Sequence, residues 1–187
     1  MALPITIPNT FATANAAIPL SQLDNNFTTV AGAINGIGNG AEALTNVEIT
    51  GGDLANVVLQ NRNREFVTIN TGGAANTINY DVNTQQVLLY TGNATANVTL
   101  NIRGNSSATL NNVMETNSSI TVAFGMTSNA NARYVSLVQI DGSNVTPKWQ
   151  GGAPTSGTAN STEFYVLNTI KTGANTYSVF GSKTAFT

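Results

Sequence analysis

The sequence contains no histidine, no cysteine and little charge, with 7 Lys+Arg and 9 Asp+Glu among 187 residues. Each shortage removes a class of chemistry. Without His or Cys there is no imidazole base, thiol nucleophile or disulfide, and none of the common zinc, haem or iron–sulfur ligand sets, so no cofactor and no enzyme activity are expected. A net charge of −2 with no cluster of Lys or Arg argues against nucleic acid as a partner, because phosphate contacts need concentrated positive charge. No apolar run approaches bilayer-spanning length and no basic residue precedes Arg62, so neither a membrane partner nor a secretion signal is expected.

Neutral polar side chains fill the gap: 27 Asn, 27 Thr and 12 Ser carry the hydration that charges supply in most globular proteins. The few charges are unevenly placed. Asp24, Glu42, Glu48 and Asp53 face no cation before Arg62, and all seven Lys and Arg lie from that point on. The chain therefore changes character near Asn61.

Four segments follow from the pattern. Residues 1–19 hold three prolines, no charge and no sustained periodicity, which reads as an extended arm suited to docking in a groove, or as a frayed terminus. Residues 20–40 read as a helix, with Ser21 as N-cap, Asp24 completing an S-x-x-D capping pattern, and Gly36, Gly38 and Gly40 ending it. Its large apolar residues, Leu20, Leu23, Phe27, Val30, Ile34 and Ile37, step by three and four, which is a heptad seam. A seam this narrow predicts helix-to-helix oligomerisation through a short trimeric coiled coil, although a single amphipathic helix lying on a sandwich has the same spacing. Helix propensity is poor over Asn25, Asn26, Thr28, Thr29 and Gly32, so the helices need neighbouring structure to hold them together.

Residues 41–61 contain a ten-residue repeat, LTNVEI at 44–49 and LANVVL at 54–59, read either as stacked β rungs or as a plain hairpin. From 62 to 187, eight β-branched and aromatic runs recur between turn signals: REFVTINT, TINYDV, QQVLLYT, ANVTLNIR, SSITVAFGM, ARYVSLVQI, EFYVLNTI and TYSVFGS. Their spacing predicts a mainly β fold, an antiparallel β-sandwich or jelly-roll knob. Alternation places Val98, Leu100 and Ile102, and likewise Ile120, Val122 and Phe124, towards a core, with Thr99, Asn101 and Thr121 opposite.

Residues that could carry chemistry are few. Asp81, Glu115, Asp141 and Glu163 are scattered, and Asp141–Gly142 has the sequence of a hairpin turn. The G-x-G-x-G at 36–40 follows a helix and lacks the Lys of a phosphate loop, so it reads as a stop signal. Trp149, in the loop VTPKWQGGAPTSG, either stacks on a sugar or packs into a seam; with Tyr134 and Tyr165 it is a candidate glycan contact.

The stretch PNTFATANAAIPLSQLDNNFTTVAGAIN resembles the N-terminal segment of bacteriophage tail-fibre and related virion proteins. ANVTLNIRGNSSATLNNV, SSITVAFGMTSN and the run from Ser143 to Ser182 are similar to a structural domain found in phage proteins, many of them from cyanobacterial viruses. The resemblance implies a non-enzymatic, homotrimeric appendage located in the virion, joined through its N-terminal arm to another virion structural protein of tail, neck or head. It brings no catalytic residues. Three rivals stand beside this expectation. A receptor-recognition module would contact host surface glycan through the three aromatics; a trimeric bacterial adhesin would need a signal peptide and anchor; a polysaccharide lyase or hydrolase would need converging carboxylates.

Overall fold

The computed structural model describes residues 6–11, 17–38 and 65–187. The chain divides into two compact units, Met1–Val58 and Leu59–Thr187.

In the first unit, helix α1 spans Leu20–Gly38. It starts one residue before the expected cap. The Pro19 carbonyl accepts from Gln22 N at 3.0 Å, so Ser21 lies inside the first turn and does not cap it. Proline cannot donate a backbone hydrogen bond, which makes the residue just after it a natural first helical position. Ahead of the helix, Asn9 folds back onto it. Asn9 N and Nδ2 donate to Asn26 Oδ1 at 3.0 and 3.1 Å, and Asn26 Nδ2 returns a bond to the Asn9 carbonyl at 3.0 Å. Part of the expected arm is thus tied to its own helix by paired amides. The repeat at 44–59 lies outside the described residues.

The second unit is mainly β, and all eight expected runs form strands. They are β1 (Val67–Gly73), β2 (Asn76–Asp81), β3 (Val87–Asn93), β4 (Val98–Arg103), β5 (Ser119–Ser128), β6 (Val135–Ile140), β9 (Ser161–Gly173) and β10 (Thr176–Phe186). Two short strands, β7 (Ser143–Val145) and β8 (Lys148–Trp149), and a one-turn helix α2 (Leu110–Val113) complete the unit.

Two mixed sheets result, one ordered β1-β3-β5-β9-β10-β8 and the other β2-β4-β6-β7. The antiparallel order of a jelly roll does not hold for the first six strands: β1/β3, β3/β5, β2/β4 and β4/β6 all pair in parallel. The chain alternates between sheets, β1 to β2 to β3, so each pair of strands is one turn of a coil and equivalent strands of successive turns lie side by side. Corners make this possible. A Cβ on Gly73 would lie 2.0 Å from the Asn93 carbonyl oxygen, and one on Gly92 would lie 2.5 Å from that of Thr71, so successive corners stack only because both positions lack a side chain. Antiparallel pairing enters where the winding stops. Asp141 and Gly142 both take positive φ, the type I′ turn that their sequence favours, and turn β6 into β7. The long β9–β10 hairpin then adds to β5.

One core lies between the sheets. Ile78, Tyr80, Leu100, Ile102, Val138 and Ile140 come from one side, and Leu88, Val122, Phe124, Tyr165, Leu167 and Val179 from the other. The expected inward faces are borne out for Val98, Leu100, Ile102, Val122 and Phe124, all fully buried, with Ile120 packed at the margin.

Candidate functional site

The helix seam is solvent-facing in the single chain. Leu20 is 77% exposed, Phe27 65% and Ile34 61%, with Leu23 and Ile37 less so and Val30 half-buried. Only Ala33 and Gly36 are buried among the described helix residues. A row of large apolar side chains in water on one face of a helix is an unpartnered packing surface.

The three aromatics expected to meet a sugar do not converge. Tyr165 is fully buried on the inward face of β9, which excludes it as a glycan contact. Its hydroxyl donates to Glu163 Oε2 at 2.6 Å and accepts from Val135 N at 3.2 Å, joining the two sheets. Burial first, and then the hydrogen bond to Glu163, push the Tyr165 phenol well above the ordinary tyrosine range. Trp149 adopts the packing alternative. Its ring lies edge-on to Tyr165, 6.3 Å between centroids at 82°, and over Gly181, where an added Cβ would sit 2.7 Å from the indole. Tyr134 is half-buried against the core.

An open groove of about 460 Å³ is lined by Trp149 and Val166 together with Lys148, Gln150, Asn168, Phe180 and Ser182. The Lys148 ammonium sits 5.5 Å from the Phe180 ring centroid. The groove offers amides, a hydroxyl and an ammonium, with Trp149, packed on Gly181, in its wall.

The carboxylates are held apart in structural roles. Asp81 pairs with Arg103 at 2.6 Å, which pushes the guanidinium further up. Asp141 receives Leu110 N at 2.7 Å and Asn111 N at 3.2 Å, satisfying orphan donors at the start of α2. Lys171 closes the other end of α2, donating from a buried ammonium to the Asn111 and Met114 carbonyls at 2.6 and 2.7 Å. Glu163, 1% exposed, accepts from Thr158 N at 2.6 Å and Lys183 Nζ at 3.0 Å besides Tyr165. Among the described residues no group of three or more Asp or Glu could hold a metal, and no helix is long and apolar enough to cross a membrane.

Sequence reasoning missed the contrast between the two outer faces. On the β2-β4-β6-β7 sheet the outward side chains are polar and mutually bonded: Asn101 to Asn79 at 2.8 Å, Gln139 to Asn144 at 2.9 Å, and Arg103 to Asp81. On the other sheet the registers align Val67, Val87, Ala123 and Val166 in one outward row, and Ile69, Leu89, Gly125 and Phe164 in the next. The signal was present. TINYD and VTLNIR alternate cleanly, whereas VLLY and FYVL are unbroken apolar runs, the pattern of strands covered on both faces. Set against known proteins, the chain matches no protein-family model, no curated protein and no solved structure.

Proposed function

We propose that the chain is a non-enzymatic structural subunit that assembles as a homotrimer through α1 and displays its β unit as part of a phage-particle appendage, attached to another virion protein through its N-terminal arm. The observation that carries the reading is the seam on α1, whose largest side chains stand in water in the isolated chain. The seam leaves about three side chains' worth of apolar surface exposed, so burying it contributes about 5–9 kcal/mol per chain, which favours association once neighbouring structure supplies the stability that the weak helix lacks. The seam's three-four spacing favours helix-to-helix packing, and the bulky Phe27 at a core position favours more than two helices. The resemblance of residues 8–35 to virion fibre proteins supplies the setting.

The glycan-recognition alternative has less support, since Tyr165 is buried and the Trp149 ring is packed against Gly181. The test is mass. Light scattering on the full chain is expected to give three times the monomer mass, and Phe27→Asp with Ile34→Asp is expected to reduce it to one. A double variant that keeps the parent mass removes the helix from the assembly.

A further inference from the structure

We infer that the outer face of the β1-β3-β5-β9-β10 sheet packs against a second copy of this chain. The inference rests on the proposed self-association and names a second surface that would make it.

The face is continuous and apolar. Its two registered rows cross four strands from Val67 to Val166 and from Ile69 to Phe164, and Phe186 extends it by packing edge-on to Phe164 at 6.0 Å. Leu89 and Phe164 close over Gly125, where an added Cβ would lie 2.6 and 2.9 Å from them, so this part of the face is flat. Ile69 is 62% exposed, Phe186 59% and Val166 39%.

Charge selects the occupant. No residue of these two rows is charged; one cation, Lys148 on the edge strand β8 of the same sheet, lines a groove with Val166 and sits 5.5 Å from the Phe180 ring centroid. A partner of different sequence is normally chosen by complementary charge or by buried polar groups; the two rows present neither, and the polar pairs on either side of them, Thr127–Thr162 and Asn168–Thr121, are bonded to each other. An uncharged flat sheet face is instead complementary to itself.

Area sets the arrangement. Five strands at about 4.8 Å spacing and outward residues from Phe164 to Ile170 at about 3.3 Å per residue bound the surface at roughly 20 by 20 Å, at most about 400 Å² in projection, polar positions Asn168, Thr121 and Ser182 included. A stable interface buries about 800 Å² per partner. The face supplies about half, and the α1 seam, roughly 28 by 10 Å, supplies most of the remainder. Together the two surfaces approach the area of a stable interface.

Because the chain has no cysteine, single-thiol labelling tests the face directly in the full-length protein. Val166→Cys reports on the apolar face and Asn79→Cys on the polar one. The expected result is an oligomer by light scattering in which the Val166→Cys variant is labelled roughly tenfold or more slowly than the Asn79→Cys variant. The two rates are expected to become equal once Phe27→Asp and Ile34→Asp dissociate the oligomer. Val166→Ser, which leaves the inward packing of β9 untouched, is expected to weaken self-association roughly tenfold. An intact oligomer in which the Val166→Cys variant reacts as fast as the Asn79→Cys variant overturns the face while leaving the helix-based assembly standing. Protection that arises only on adding dextran assigns the face to glycan and also overturns the inference. A monomeric parent protein overturns both readings.

Discussion

Tyr165→Phe tests whether the two sheets are joined by a polar node inside an otherwise apolar core. The substitution keeps the ring, and with it the contacts to Phe124 and Trp149 at 6.4 and 6.3 Å, so it creates no cavity. It removes one oxygen. That oxygen donates to a buried carboxylate at 2.6 Å and accepts from Val135 N at 3.2 Å, and Val135 is itself buried. A hydrogen bond to a charged group contributes about 1.5–3 kcal/mol, and a buried N–H left without a partner costs about 1–3 kcal/mol. Glu163 retains Thr158 N and Lys183, which places the first figure at its lower end, so the expected loss is about 3 kcal/mol. Urea unfolding of the full chain measures it as a fall in midpoint with unchanged slope. Lys183→Met provides the comparison. Its side chain is 24% exposed and water can replace it, so it is expected to cost less than half as much. A Tyr165→Phe loss below about 1 kcal/mol, or one no larger than that of Lys183→Met, would refute the node.

Burial pushes the Tyr80 phenol up to about 12, against an unfolded value of about 10. Between those values the folded chain keeps a proton that the unfolded chain has released, so the Tyr80 contribution is complete below about pH 10 and is lost as pH rises, by up to about 2–3 kcal/mol; Tyr80→Phe removes that share and leaves the share of Tyr165, and urea midpoints from pH 9 upward check the sign. Asp141→Ala is expected to cost about 2 kcal/mol, by exposing the Leu110 and Asn111 donors and by placing alanine at φ 49, and Asp141→Asn clearly less because asparagine tolerates that backbone and keeps an acceptor; the same unfolding assay ranks them.

The strands were legible and their pairing was not. Each β-branched run between turn residues became a strand because local pattern determines which segments extend and which face is apolar. Runs spaced eight to twelve residues apart fit a hairpin as well as half a coil, and only a longer period separates the two. That period is written in the chain. TINYD at 77–81 and TLNIR at 99–103 pair residue for residue across β2 and β4, and the corners TGGA at 71–74 and TGNA at 91–94 are twenty residues apart. Neighbouring copies of one pattern, stacked in parallel, put Asn101 over Asn79 and Arg103 over Asp81, which explains an amide ladder and an ion pair that no hairpin reading contains. Tyr165 was misplaced for a related reason. FYVL has apolar residues in both parities, so nothing in the run tells Tyr165, which faces the core, from Phe164 and Val166, which face out, until the Gly125–Phe164 register is known.

The scarcity of charge ties fold and assembly together. Most proteins keep apolar sheet faces apart with interspersed Lys and Glu, and blunt their sheet edges in the same way. Here the polar sheet bonds its amides to one another, through Asn79, Asn101, Gln139 and Asn144, while the other sheet sets its uncharged apolar rows between two polar pairs, Thr127–Thr162 and Asn168–Thr121. With a net charge of −2 spread over 187 residues, two copies approaching through the apolar face meet little net repulsion, and beyond a screening length of about 8 Å salt screens that little. In the proposed assembly the same composition leaves self-association almost unopposed by charge, and apolar area sets its strength.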